Sequence, residues 1–121
     1  MLFPIHNIKI KTEYEDVTLP LRCRIVYPFA IHRRVKSKND TWITDNAPNT
    51  KGYVITHLLT GASVCHVIPK RHGCGMVEAR NILISLAESL ADFPEFLMFD
   101  VNQVTSGPNR KEIAKMITDA L

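Results

Sequence analysis

The sequence predicts an α+β fold, an antiparallel sheet of four to five strands with two helices, about 77–92 and 108–120, packed on one face. Two observations lead to this prediction. Runs with strand-like alternation or β-branched composition fill the first part of the chain, and apolar side chains at helical spacing fill the second. Strands followed by helices, without regular alternation between the two, are typical of α+β proteins.

Length and composition predict one compact domain. The chain has 121 residues, of which 45% are hydrophobic, a share that is ordinary for a folded protein. We expect residues 1–121 to form a single unit, with a strand-rich basic part at 1–69 and a helix-rich acidic part at 76–121.

Residues 19–27 carry the alternation of a half-buried strand. One side of this predicted strand holds Leu19, Leu21, Cys23, Ile25 and Tyr27, and the other holds Pro20, Arg22, Arg24 and Val26. Pro20 favours a strand start or a sheet edge, because proline has no N–H to donate to a neighbouring strand. Residues 29–35 are interpreted as a second strand or a bent extension of the first.

Two segments with loop composition, KSKND and DNAPNTKG, flank a predicted short strand at Trp42 and Ile43. The next unit, residues 52–69, has two apolar, β-branched runs around Thr60 and Gly61. A glycine between such runs predicts a hairpin, although it leaves the register open.

The helices follow from periodicity. Apolar side chains recur at helical spacing in Ala79, Ile82, Leu83, Leu86, Ala87 and Leu90. A second stripe, beginning near Pro108, consists of Ile113, Met116, Ile117, Ala120 and Leu121. Between the helices, residues 96–104 are ambiguous, and their alternation favours a strand.

Charge is sorted along the chain. Residues 17–77 hold nine basic and two acidic side chains, a balance of +7, whereas residues 1–16 sum to −1 and residues 78–121 to −3. Clustered cations build a local positive potential that the net charge of +3 conceals. The distribution therefore indicates a partner with negative charge.

The predicted partner-binding residues are Arg22, Arg24, Arg33, Arg34, Lys36, Lys38 and Trp42. Two partners fit them, a nucleic acid and the acidic surface of a protein. An inhibitor of a nucleic-acid-handling complex is one example of the second. Nearby aromatic residues, Tyr27, Phe29 and Trp42, are candidates for stacking on bases. The alternative is a solvated face that only keeps the protein soluble.

A second candidate site precedes the first helix. Lys70, Arg71, Gly73 and Gly75 lie between a predicted strand and the start of that helix, where free backbone N–H groups attract anions. This loop predicts, as an alternative function, a binder of phosphate-containing small molecules or nucleotides. The glycines match no known phosphate-binding motif and are also explained by the turn itself.

The histidines and cysteines between 57 and 74 predict at most a weak metal site. Cys65 and His66 are adjacent on a strand and so point to opposite faces. His57 and His66 share a face only if Thr60 and Gly61 alone form the hairpin loop. They are the weak metal candidates of a third hypothesis, a small metal-supported enzyme around these histidines and Cys74.

No catalytic residue set is recognisable, and no cofactor is predicted. The three cysteines are an odd number, which favours reduced thiols in the cytoplasm. No apolar run approaches a membrane span, and the first residues lack a signal-peptide pattern, so no membrane partner is expected. The apolar stripe of the last helix allows a second copy of the chain to dock there as a homo-oligomer.

The stretch GYVITHLLTGASV resembles, in general character, short proteins encoded by phages and other mobile elements. The resemblance covers about a tenth of the chain and carries no function with it. Small size, one compact domain and the absence of recognisable catalytic machinery are typical of proteins that act by occupying another molecule's surface. The sequence thus predicts a non-catalytic intracellular binding protein with a basic sheet and loop surface.

Overall fold

The computed structural model describes residues 2–97 and 101–121, without the side chains of residues 101–103. The strands are β1 (Ile5–Lys11), β2 (Asp16–Val26), β3 (Phe29–Arg33), β4 (Val35–Lys38), β5 (Thr41–Thr44), β6 (Tyr53–His57) and β7 (Ser63–Val67). The helices are α1 (Pro69–His72), α2 (Met76–Leu90), α3 (Val101–Ser106) and α4 (Arg110–Ala120), with a 3₁₀ turn at Pro94–Phe96. The two longer helices lie close to their predicted bounds.

The main sheet is antiparallel, in the order β1-β2-β3-β6-β7, and β4 pairs with β5 in a separate hairpin. Ile55 of β6 lies opposite both Ile31 of β3 and Cys65 of β7. Residues directly opposite each other in a sheet point to the same side, so these three side chains share one face.

Helix α2 packs on that face, which we call the helix face, and α4 packs against α2. Leu83, Leu90 and Ile113 from the helices are buried there with Phe29 and Ile55 from the strands. Burial of such side chains stabilises a fold by about 1.5–3 kcal/mol each. The predicted α+β class is confirmed.

The opposite face of the sheet carries a smaller core. Ile8, Cys23 and Ala30 are buried together there, because β1 and the first part of β2 fold back over the sheet. The Lys11 N–H donates to the Gly61 carbonyl in the β6–β7 turn at 3.0 Å, which ties the first strand to the far side of the sheet. The opposite face of the sheet is therefore partly covered.

Pro20 lies in the middle of β2 and not at its start. Residues 16–22 pair only with β1, and pairing with β3 begins at Cys23. The second side of the strand is therefore unpaired around Pro20, which explains how a proline fits there.

Two local predictions are corrected. KSKND was predicted to be a loop, yet its lysines lie in β4, and Asn39 and Asp40 make the hairpin turn with φ of 52° and 62°. Positive φ at both central positions is typical of tight β-hairpins. Residues 96–104 were predicted as a strand, but the described part ends the 3₁₀ turn and begins α3; residues 98–100 lie outside the described residues.

Among the helices in the described ranges, none has the length and apolar character that crossing a membrane requires.

Candidate functional site

Three arginines from three elements line one cavity of about 470 Å³. Arg22 comes from β2, Arg33 from the end of β3 and Arg80 from the second turn of α2. We call this space the arginine cavity. His32, Thr44 and Tyr53, together with apolar residues of the N-terminal segment and β2, complete its wall.

The N-terminal segment, residues 2–4, holds the wall of the arginine cavity in place. The Cys23 N–H donates to the Pro4 carbonyl at 3.0 Å, and the Arg22 Nη1 donates to the Phe3 carbonyl at 3.1 Å. The Arg80 guanidinium lies 5.4 Å from the centre of the Phe3 ring, within the range of a cation–π contact. Phe3 therefore contacts two of the three arginines and orients both.

Arg33 is oriented from the other side. Its Nη2 donates to the Asp45 carbonyl at 3.2 Å and to the Asn46 Oδ1 at 2.9 Å, and its guanidinium lies 5.9 Å from the Tyr53 ring centre. The Asp45 carboxylate is engaged elsewhere, because its Oδ1 accepts from the Ala47 N–H at 2.9 Å.

No acidic residue of the described chain lines the arginine cavity. In addition, the Nε–H groups of Arg33 and Arg80 are buried and meet no acceptor among the described residues. An unsatisfied buried donor costs about 1–3 kcal/mol, and such groups in a native fold call for an explanation. An arginine stays charged at any physiological pH, so the cavity concentrates positive charge that the chain does not neutralise.

His32, which also lines the cavity, adds no charge. Burial lowers its pKa, so the ring is neutral near pH 7. Its Nδ1–H donates to the Arg33 carbonyl at 2.7 Å, and its Nε2 accepts from the Thr56 hydroxyl at 2.8 Å. These bonds fix the tautomer, because a carbonyl only accepts.

The predicted partner-binding residues do not lie on one surface. Arg22 and Arg33 share the arginine cavity, and Arg24 and Lys38 are exposed outside it. Lys36 is paired with Asp45 at 3.7 Å. Arg33 and its chain neighbour Arg34 line different cavities, because adjacent residues of an extended segment point to opposite faces, so the predicted residues do not form one continuous basic surface.

Trp42 and the hairpin lysines also diverge. Trp42 lies opposite Ser37, whereas Lys36 lies opposite Ile43, so Trp42 and Lys36 are on different faces of the β4–β5 hairpin. Phe29, another predicted stacking residue, is fully buried in the core.

A smaller basic cluster lies on the opposite face of the sheet. Lys11, Arg34 and His66 line a cavity of about 150 Å³ there. The pKa of His66 is lowered, first by burial and then by the charges of Arg34, His72 and Arg71. Arg71 of the predicted anion loop therefore lies near this cluster, but not in the arginine cavity.

The rest of the predicted anion loop forms a turn. Lys70 is exposed in α1, Gly73 ends that helix with φ of 69°, and Gly75 precedes the first turn of α2. Glu78 lies in that first turn, where its charge opposes the binding of an anion. None of these residues lines the arginine cavity.

The two metal candidates point away from each other. His57 lies opposite Phe29 on the helix face, while His66 lies opposite Val54 on the other face. The hairpin loop is longer than Thr60 and Gly61 and the strands contain a register shift, so the condition for a shared face is not met. His57 instead donates from Nε2 to the Phe96 carbonyl at 2.6 Å. Within the described ranges, no three His, Cys, Asp or Glu side chains are placed to hold one ion.

Cys74 lacks the electrostatics of a nucleophile. Burial and the charge of Glu78 raise the pKa of its thiol, whereas a reactive cysteine has a lowered pKa. Burial likewise raises the pKa of Cys65 to about 12.

Arg80 is the site residue that sequence reasoning missed. It lies off the apolar stripe of the first predicted helix, where the sequence predicts no site. Its position in the acidic half of the chain concealed it, because the charge sorting directed attention to residues 17–77. Only the packing of α2 beside β2 and β3 brings it to Arg22 and Arg33.

Comparison with known proteins gave no family model, no curated protein and no solved structure that matches this chain.

Proposed function

We propose that this chain is a non-catalytic binding protein whose arginine cavity engages an acidic segment of a partner protein. The observation that carries the proposal is the convergence of Arg22, Arg33 and Arg80 on one cavity without a lining carboxylate. Arginine forks bind carboxylate and phosphate oxygens through paired hydrogen bonds, so a protruding acidic group fits this space.

The distribution of the basic side chains over separate cavities favours an acidic protein over a nucleic acid as the partner. A nucleic-acid strand needs a continuous basic track with aromatic side chains for its bases. Here Arg33 and Arg34 serve different cavities, and Phe29 is buried. A local cavity suits a side chain better than a strand.

The proposal places the chain in a reducing intracellular compartment. Cys23, Cys65 and Cys74 are all free thiols, which is the usual state of cysteine in the cytoplasm.

The test is fluorescence anisotropy with a labelled oligoglutamate peptide, measured between about 50 and 200 mM NaCl. We expect binding that weakens with salt and that Arg22→Gln reduces by about tenfold or more, since a charge-assisted hydrogen bond contributes about 1.5–3 kcal/mol. Arg22 is exposed, so its replacement leaves the core intact. Arg110→Gln, an equal loss of charge on the exposed side of α4, is the matched control.

Two results would overturn the proposal. One is no anisotropy change with oligoglutamate at the lowest salt, and the other is equal weakening by Arg22→Gln and Arg110→Gln. Parallel titrations with single- and double-stranded oligonucleotides test the competing partner. Binding to oligonucleotides without binding to the peptide would replace the protein partner with a nucleic acid.

A further inference from the structure

The number of donors in the arginine cavity exceeds what one carboxylate accepts. Each guanidinium carries five N–H donors. Described residues accept one bond from Arg22 and two from Arg33, and none accepts from Arg80. A single arginine already satisfies a carboxylate with two parallel bonds, so three arginines provide for a ligand with more oxygens.

The charge of the cavity also favours a ligand with more oxygens than a carboxylate has. Three arginines line it, and the nearby Asp45 carboxylate is engaged by the Ala47 N–H and the Lys36 ammonium. A carboxylate ligand brings one negative charge. A phosphate monoester brings about 1.5 to 2 negative charges at pH 7 and three acceptor oxygens, which matches the cavity more closely.

The hydroxyl groups around the cavity and the volume of the cavity are also compatible with a phosphate monoester. The side chains of Thr44 and Tyr53 line the cavity and carry hydroxyl groups that can donate to a phosphate oxygen. The volume of about 470 Å³ holds a phosphate with the carbon atoms attached to it. Phe3 and Tyr53 orient Arg80 and Arg33 before any ligand arrives, which lowers the entropic cost of binding.

We infer that the arginine cavity binds a phosphate monoester group. Its source is a phosphorylated side chain of the partner or a free small phosphate compound, and the two share the chemistry that the arginines recognise. This inference rests on the proposed function, since it specifies the acidic group that the cavity takes.

The experiment compares three peptides that differ at one central position, which is phosphoserine, glutamate or serine. Isothermal titration calorimetry with the full chain should show the phosphoserine peptide binding at least about tenfold more tightly than the glutamate peptide. Arg22→Gln and Arg80→Gln should each remove this preference. Arg24→Gln should keep it, because Arg24 lies two residues from Arg22 on the same strand but outside the cavity.

A fourth titration, with free O-phosphoserine, identifies the source. Binding as tight as that of the phosphopeptide assigns the site to a small phosphate compound, and much weaker binding assigns it to a phosphorylated partner. Equal affinity for the phosphoserine and glutamate peptides would overturn the phosphate inference and leave the proposed function standing. No binding of any acidic peptide or of free O-phosphoserine would overturn both. Circular dichroism of each variant verifies that the fold is retained, and Arg80→Lys, which keeps the charge but loses the fork, should give an intermediate preference.

Discussion

Gly52 supports the strongest stability prediction in the chain. A Cβ added at Gly52 would lie 2.0 Å from the Val67 carbonyl oxygen and 3.0 Å from its carbon, both of them backbone atoms of the sheet. Ordinary contact distances between carbon and oxygen are about 3.3–3.6 Å, so the Gly52→Ala variant must move one backbone segment by more than about 1 Å. The Gly52 carbonyl also accepts from the Arg34 N–H at 2.9 Å, and that bond moves with it.

The cost of the Gly52→Ala substitution combines two effects. Overpacking typically costs about 1–3 kcal/mol, and a weakened hydrogen bond adds about 0.5–1.5 kcal/mol. We therefore expect the free energy of unfolding to fall by about 3 kcal/mol, a large fraction of the 5–15 kcal/mol typical of domains. Urea denaturation followed by circular dichroism measures this change.

Two other glycines provide internal controls for the same assay. Gly75 has no atom within 4 Å of an added Cβ and an ordinary negative φ, so Gly75→Ala should change stability by less than about 1 kcal/mol. Gly73 is equally open but has φ of 69°, so Gly73→Ala should cost about 1–2 kcal/mol from backbone strain alone. If Gly52→Ala is as stable as Gly75→Ala, the close approach of Gly52 to the Val67 backbone is not as described.

Three further predictions concern ionisable groups. Burial lowers the pKa of His32, so the contribution of the neutral ring to stability is complete above about pH 6.5 and is lost as the pH falls below that value. The urea midpoint should therefore drop more steeply toward pH 5.5 in the wild type than in His32→Gln, and equal slopes would contradict this. The hydrogen bond from the Ala47 N–H holds the pKa of Asp45 low, so the contribution of this carboxylate to stability is present above about pH 4 and disappears in more acidic solution. Asp45→Asn should cost about 1 kcal/mol at pH 7 and should reduce the loss of the urea midpoint below pH 4. An unchanged loss below pH 4 would argue against the bond. Burial raises the pKa of Cys65 to about 12, so its thiol should react with iodoacetamide at least about tenfold more slowly in native protein than in urea, as measured by mass spectrometry. Burial and the charge of Glu78 also raise the pKa of Cys74, so its thiol should likewise react more slowly in native protein, and rapid native labelling of either thiol would refute this.

The elements that could be predicted are those whose pattern is local. α2 was predictable because Leu83, Leu86 and Leu90 repeat at helical spacing, and they are buried as that spacing requires. The β6–β7 hairpin was predictable because two β-branched runs flank a glycine. In both cases, the information lies within about fifteen residues and needs no knowledge of distant contacts.

The errors arise where distant contacts decide. β4 is polar and its residues are interpreted from sequence as a loop, because alternation signals a strand only when one of its faces is buried, whereas β5 contains the predicted short strand at Trp42 and Ile43. The β1–β2 ribbon folds back through the bond from Lys11 to Gly61, two residues that are fifty positions apart. The orientation of His66 away from His57 depends on a register shift, which composition does not encode.

The predicted basic surface shows how charge counting can be partly informative. It located Arg22 and Arg33, but it also included Lys36, which is paired with Asp45, and omitted Arg80. Counting along the chain measures density in sequence, whereas a binding site needs density in space. The two agree only when neighbouring strands present their cations to the same side.

If the basic residues only kept the protein soluble, we would expect a different arrangement of them in the structure. Residues with that role spread over the exposed surface, since like charges repel and water solvates them best when they are apart. Arg24 and Lys38 fit that description. Arg22, Arg33 and Arg80 do not, because they gather around one cavity, two of them are half-buried, and each is held in place by an aromatic ring or a carbonyl group. Placing three like charges together opposes folding of the free protein, and a bound anion reverses that penalty by neutralising them. For this physical reason we propose that the arginine cavity binds a ligand and does not merely keep the protein soluble.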